Sequence, residues 1–199
     1  MEQVITSLEY VEKKKVRVYI NDEFAFPLYQ SEIKKYSIEE GQFIEQERYN
    51  KIMEEIIFRR AKQKAMNLLK RMDRTEQELR TKLRQAEYPS AAVETAIEYV
   101  KSYHYIDDLR YAENYIRYKK GTKSIRMIEM ELRQKGIDKE SIRSALEEET
   151  ISDDEALKKA IRKKAKNWDT MSYLEKRKVF AYLYRKGFKE EDIRKYLEF

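Results

Sequence analysis

The sequence predicts a mainly α-helical protein: three tandem three-helix repeats forming an elongated, curved array, behind a small N-terminal antiparallel β module. Three observations carry that reading. Residues 105–146 (YIDDLRYAENYIRYKKGTKSIRMIEMELRQKGIDKESIRSAL) parse as three short helices, each with its own apolar stripe. The hexapeptides LRQAEY, LRQKGI and LYRKGF, starting at Leu83, Leu132 and Leu183, recur at offsets of 49 and 51 residues. Finally, 40% of the residues are charged while the chain holds only four Gly and two Pro, a composition of helices with few loops.

At the N-terminus, residues 4–11, 15–20 and 24–29 carry the β-branched and aromatic residues of strands, and Val16, Val18 and Ile20 alternate with Arg17 and Tyr19. Lys13-Lys14 and Asn21-Asp22-Glu23 read as turns, giving a three-stranded sheet. Pro27 cannot donate to a ladder, so the third strand belongs at an edge. A short helix near Ser31–Tyr36 and a turn ended by Gly41 complete a module, 1–45, that leans on the first long helix. That helix is expected from about Glu45 to Arg71, burying Ile52, Ile56, Ile57, Ala61, Ala65, Leu68 and Leu69.

The repeats are placed at 46–103, 104–151 and 152–199. Thr75 with Glu78 and Ser172 with Glu175 have the spacing of capping boxes, and Pro89 suits an opening turn, where its missing N–H has no partner to lose. In the middle repeat Asp107 or Asp108 caps a helix with Leu109, Ala112 and Ile116 inward. Gly121 stops it. Ser124 caps the next, with Ile125, Ile128 and Leu132 inward, and Gly136 stops that in turn; Asp138 opens the third, with Ile142 and Leu146 inward. Superposition of the hexapeptides aligns Leu79, Ile128 and Val179, then Val93, Ile142 and Ile193, then Ile97, Leu146 and Leu197, with Ala65, Ala112 and Ala160 as close-contact points in the first helices. Asp153 or Asp154 starts the last repeat, whose first helix carries Ala156, Leu157, Ala160, Ile161, Ala165 and Trp168; the chain ends on Leu197 and Phe199.

Composition excludes much. Without Cys there is no disulfide and no thiolate zinc site, and a single His leaves imidazole chemistry almost no material. No metal set, no nucleophile with a base and no cofactor fingerprint stands in the sequence, so a non-enzymatic protein without cofactor is expected. No apolar run approaches the ~20 residues that cross a bilayer, and no signal pattern opens the chain. A soluble, cytoplasmic monomer with no membrane partner is the expectation. Net charge is −3 over 1–50, +4 over 51–103, 0 over 104–150 and +5 over 151–199, so the outer repeats suit an acidic partner, protein or nucleic acid.

The segment YIDDLRYA (Tyr105 to Ala112), then Gly121, Glu131-Leu132 and Lys135-Gly136-Ile137, resembles the most recognisable block of the RecX family of bacterial regulatory proteins. RTEQELRTKL (Arg74 to Leu83) is similar to that family's first-repeat signature, the resemblance spans about 51–199, and the N-terminal strands resemble those of one branch. His104 departs from it, standing where the family usually has Gly. The resemblance implies a non-catalytic modulator that lies in the helical groove of the RecA recombinase filament, spans adjacent protomers, and inhibits strand exchange and the associated ATP hydrolysis. It implies a place in DNA recombination, DNA repair and the SOS response. A helical repeat protein tracking single- or double-stranded DNA with its basic faces is the alternative.

Candidate partner contacts are the basic run Lys158, Lys159, Arg162, Lys163, Lys164 and Lys166, and Arg110, Arg117, Lys119 and Lys120 near the central motif. Each set has a plainer reading as a solvated helix face, evenly weighted for the first and favoured for the second. Asp107-Asp108 reads as a cap and not an acid–base couple, since adjacent helical residues point about 100° apart. His104 reads as a loop residue. Tyr103, Tyr105, Tyr111, Tyr115 and Tyr118 could stack on bases, but filling gaps between thin helical layers is the favoured role. Lys119–Ser124 lacks the paired glycines and preceding strand of a phosphate loop.

Overall fold

The computed structural model describes residues 3–11, 14–165 and 170–197, so Lys13, Lys166, Trp168 and Phe199 lie outside the described residues. The chain forms two compact units, Met1–Ile106 and Asp107–Phe199.

In the first unit, β1 (Ile5–Tyr10), β2 (Lys15–Ile20) and β3 (Glu23–Tyr29) make an antiparallel sheet in that order. Val16, Val18 and Ile20 turn inward as their alternation requires, and Pro27 sits on the edge strand opposite Arg17. After α1 (Gln30–Lys35) comes the long helix, in three consecutive parts: α2 (Gln46–Ile52), a π-helical segment (Met53–Phe58) and α3 (Arg59–Leu69). Nothing in the apolar spacing announces the π segment. Ile52, Met53, Ile56 and Ile57, at and within it, are all buried. Ile52, Ile57, Ala61 and Ala65 are buried in one core with Phe26 and Leu28 of the sheet, while Leu68 and Leu69 are partly covered.

α4 (Glu76–Gln85) and α5 (Ser90–Ser102) complete the first repeat. The Thr75/Glu78 capping box forms, and Pro89 takes the N-cap position immediately before α5. The second unit holds two more triplets: α6 (Asp108–Lys119), α7 (Ile125–Gln134) and α8 (Lys139–Glu148), then α9 (Asp154–Lys164), α10 (Tyr173–Arg185) and α11 (Glu190–Leu197). Asp107, Ser124, Asp138 and Ser172 each accept a backbone N–H as N-caps. Most aligned positions are buried: Leu79, Ile128 and Val179; Leu83, Leu132 and Leu183; Val93, Ile142 and Ile193; Ile97 and Leu197 are as well, whereas Leu146 and Ala160, expected inward, are only partly covered. Leu109 corrects the expected stripe. It is 39% exposed, so α6 buries only Ala112 and Ile116 inward.

The turn between the second and third helix is the same in every repeat. Glu87, Gly136 and Gly187 stand at φ +65°, +85° and +86°. Their N–H groups donate to the carbonyls of Arg84, Arg133 and Tyr184, and the next N–H, of Tyr88, Ile137 or Phe188, reaches back to Leu83, Leu132 or Leu183. This is the paired bond of a Schellman motif, with the apolar residue after the turn covering the helix end. His104 takes the same left-handed position after α5, at φ +54°, so the turn there survives the departure from Gly.

In the first repeat the left-handed residue is Glu87, which has a Cβ to accommodate. Its carboxylate accepts from Lys15 and from Arg17 Nε at 2.7 Å, tying the turn to the middle strand of the sheet. Lys15 holds the Glu87 carboxyl below the usual carboxylate range, against a rise from burial and with help from Arg17. A carboxyl depressed on folding adds stability above its unfolded value of 4.5 and loses it as pH falls through the lowered folded one. We expect Glu87→Gln to lower stability by about 1 kcal/mol at neutral pH. In urea titrations between about pH 7 and about pH 3 the gap to the parent should close towards acid; a gap independent of pH would show that the two ion pairs contribute nothing.

Candidate functional site

The candidate site lies in the second unit, where the third triplet meets the N-terminus of α7. Asp153 stands at the N-cap of α9 and Asp154 is the first residue of that helix, where the last repeat is expected to start. The Asp153 side chain, however, does not cap α9; it accepts the Ile125 N–H at 2.7 Å, and so caps α7 from another repeat. Ser124 accepts the Met127 N–H at 3.2 Å and donates to the Lys186 carbonyl at 2.6 Å, at the edge of the last left-handed turn. Three elements thus close on one helix end, whose orphan N–H groups need acceptors. Burial pushes the Asp153 carboxyl up, opposed by the Ile125 N–H and reinforced by nearby Asp192. Gly187 is required here twice over. Its φ is +86°, and a Cβ would stand 2.6 Å from Ser124 Oγ.

Beside this seam opens a cleft of about 480 Å³ with Met127, Ala156, Ala160 and Phe188 in its lining and Lys123, Lys159, Lys163 and Lys186 around it. Lys164 and Lys186 both lie over the Tyr182 ring, at 5.2 and 5.8 Å, which brings Lys164 to the same rim. Lys123 pairs with Glu131 and Lys159 with Glu155 at 2.7 Å. Burial would raise the Glu131 carboxyl, but hydrogen bonds from Lys123 and Tyr115 hold it below the usual range, and burial together with that bond pushes the Tyr115 hydroxyl up to about 12. The cleft is therefore basic, with an apolar lining and a fixed pair of carboxylates. Such a surface can receive an acidic protein segment or a phosphate group.

The structure divides the sequence candidates. Lys159, Lys163 and Lys164 gather at the cleft, Lys158 lies 5.4 Å over the Tyr196 ring, and Arg162 is exposed on the same helix. Lys166 falls outside the described residues. Arg110 is exposed on the first turn of α6. Arg117 and Lys120 both pair with Glu149, Lys120 at 3.1 Å, and Lys119 lies 4.5 Å over the Tyr118 ring. That group is spoken for inside its own repeat. Lys123 and Lys186 were missed, and only their position beside Ser124 and Gly187, the turn residues of two repeats, could have pointed to them. The tyrosines also split. Tyr111 and Tyr115 pack on the middle core as expected, whereas Tyr103, Tyr105 and Tyr118 are exposed, which corrects their assignment to gap filling.

Three family models match, described as the first, second and third three-helix domains of RecX, over residues 61–99, 107–146 and 152–197. A Clostridium acetobutylicum protein named regulatory protein RecX is 30% identical over 200 residues, covering 96% of this chain and 94% of its own. One of the same name from Caldanaerobacter subterraneus subsp. tengcongensis is 33% identical and covers 92% of each. A crystal structure titled regulatory protein RecX superimposes with a TM-score of 0.65 at 23% identity over 98% of both chains, a likeness of fold. No helix among the described residues is long and apolar enough to cross a membrane.

The seam makes a checkable demand. Gly187→Ala is expected to cost about 3 kcal/mol, combining left-handed strain with the clash at Ser124. Gly41→Ala is the control, since Gly41 shares the left-handed φ but has nothing within 4 Å of its Cβ position; it should cost only about 1 kcal/mol. Equal midpoint shifts in urea would remove the steric role of the seam.

Proposed function

The chain belongs to the RecX family, and from that premise we propose that it binds the RecA recombinase filament, lies in its groove and restrains ATP hydrolysis and strand exchange. The observation that carries the reading is the lysine-rimmed cleft of the third repeat, set on the family's three-helix domains. A filament presents the same surface again and again along its groove. A protein written in repeats can engage successive protomers, and each linked contact raises the effective concentration of the next. Lys159, Lys163, Lys164, Lys123 and Lys186 are assigned the acidic surface of the partner, with Lys158 and Arg162 of the same helix; Lys166, close to them in sequence, is assigned with them. Arg110, Arg117, Lys119 and Lys120 are assigned a lesser part, because none of them lines the cleft and Arg117 and Lys120 share one carboxylate, Glu149.

The chemistry is one of occupancy. A protein so bound obstructs a second duplex, or favours a filament arrangement that does not hydrolyse ATP, and needs no catalytic group of its own. Its place is then cytoplasmic, in recombination, repair and the SOS response, and it acts as a monomer.

A titration of the protein into RecA on single-stranded DNA tests this. ATP hydrolysis should fall at sub-stoichiometric amounts, and Lys159→Glu with Lys163→Glu should keep the circular dichroism of the parent while weakening inhibition about tenfold. Undiminished ATP hydrolysis at saturating amounts would end the proposal, and equal inhibition by the double variant would take the cleft out of it.

A further inference from the structure

We propose that the first unit carries a single-stranded nucleic-acid site, built from a cationic groove along the long helix and a ladder of three tyrosines at its end. The inference does not depend on the RecA reading, since it uses none of the second unit's residues.

The groove, of about 570 Å³, is lined by residues of the π segment, α3 and its C-cap Lys70, and α5; Arg59, Lys62 and Lys70 outnumber its one carboxylate, Glu54, and Tyr99 closes one side. Most cations nearby are committed: Arg60 pairs with Glu32, Arg80 with Glu76 and Glu94, and Lys101 with Glu76. Among the described residues no carboxylate lies within ion-pair distance of Arg59, Lys62 or Lys70. A groove with three cations that pair with no carboxylate among the described residues presents positive potential to an anion.

Lys62 lies 5.3 Å over the Tyr99 ring, which joins the groove to the ladder. Tyr99 and Tyr103 stand with ring centroids 5.0 Å apart, and Tyr103 and Tyr105 5.8 Å apart at an interplanar angle of 16°. Tyr103 is 57% exposed and Tyr105 48%. The left-handed residue His104 makes this possible, turning the chain back after α5 so that Tyr105 stacks beside Tyr103. Packing does not explain two nearly parallel rings left open to water. Backbone cations leading to sequential ring faces are what a single strand recognises, phosphates along the groove and bases on the rings. A duplex hides its base faces, and an acidic peptide has no use for the rings.

The test is fluorescence anisotropy of the full chain with labelled oligothymidylate, against a duplex of equal length and a polyglutamate peptide. Oligothymidylate should bind tightest. Tyr103→Ala with Tyr105→Ala should weaken it about tenfold or more, while the paired Phe variants retain it. Lys62→Glu with Lys70→Glu should weaken it and flatten its salt dependence. In the unaltered protein, photo-crosslinking of a bromodeoxyuridine oligonucleotide should label Tyr103 or Tyr105, whatever the Ala variants do to folding. Duplex or polyglutamate bound as well as the single strand, unchanged affinity in a folded Ala pair, no crosslink at either tyrosine, or no binding at low salt would each overturn the site.

Discussion

The left-handed residue between the second and third helices of each repeat is the constraint on which the rest depends. Each of these second helices is only ten to thirteen residues long and would not hold alone. It is held because the chain reverses within two residues and the third helix packs back at once. That reversal places a backbone N–H on each of two orphan carbonyls and an apolar side chain over the helix end. Leu83, Leu132 and Leu183 each accept one of these bonds through their carbonyls and fill the repeat's core with their side chains. Turn and core are thus fastened at the same residue.

What differs between repeats is how the left-handed position is tolerated. Gly136 and Gly187 carry no Cβ, and Gly187 uses that freedom to bring its turn against Ser124. Glu87 has a Cβ, and its carboxylate reaches the Lys15 and Arg17 cations of β2. The residue least suited to the backbone angle is therefore the one that fastens the N-terminal sheet to the first repeat. Glycine at 87 would relax the turn and remove that attachment.

Much of this fold was legible in the sequence because it repeats. Apolar positions at helical spacing, capping boxes and the glycines at two of the three turns marked the helices and their cores. The first turn was hidden by Glu87, since a non-glycine residue gives no sign of a positive φ. The π segment was hidden because apolar spacing does not record a change of hydrogen-bond register. Leu109 misled because α6 is covered along a narrower stripe than its sequence allows. Cationic runs were the least legible feature. Glu149 pairs with Arg117 and Lys120 from 32 and 29 positions away, and Lys123 and Lys186 join Lys159 and Lys163 only when two repeats meet.

Charge is consequently distributed by pairing more than by count. Cations such as Arg117 and Lys120 are held within their own repeat by a carboxylate from another helix, whereas the third-repeat cleft gathers Lys163 and Lys186 beside the paired Lys123 and Lys159, and the long-helix groove holds Arg59, Lys62 and Lys70. All of this presupposes the turns, and amide hydrogen exchange followed by NMR tests them most directly. The N–H groups of Glu87, Tyr88, Gly136, Ile137, Gly187 and Phe188 should be protected to the level of the helices they close. Exchange at these six amides as fast as in an unstructured peptide, while the helices stay protected, would contradict the claim that the left-handed turns hold the repeats together.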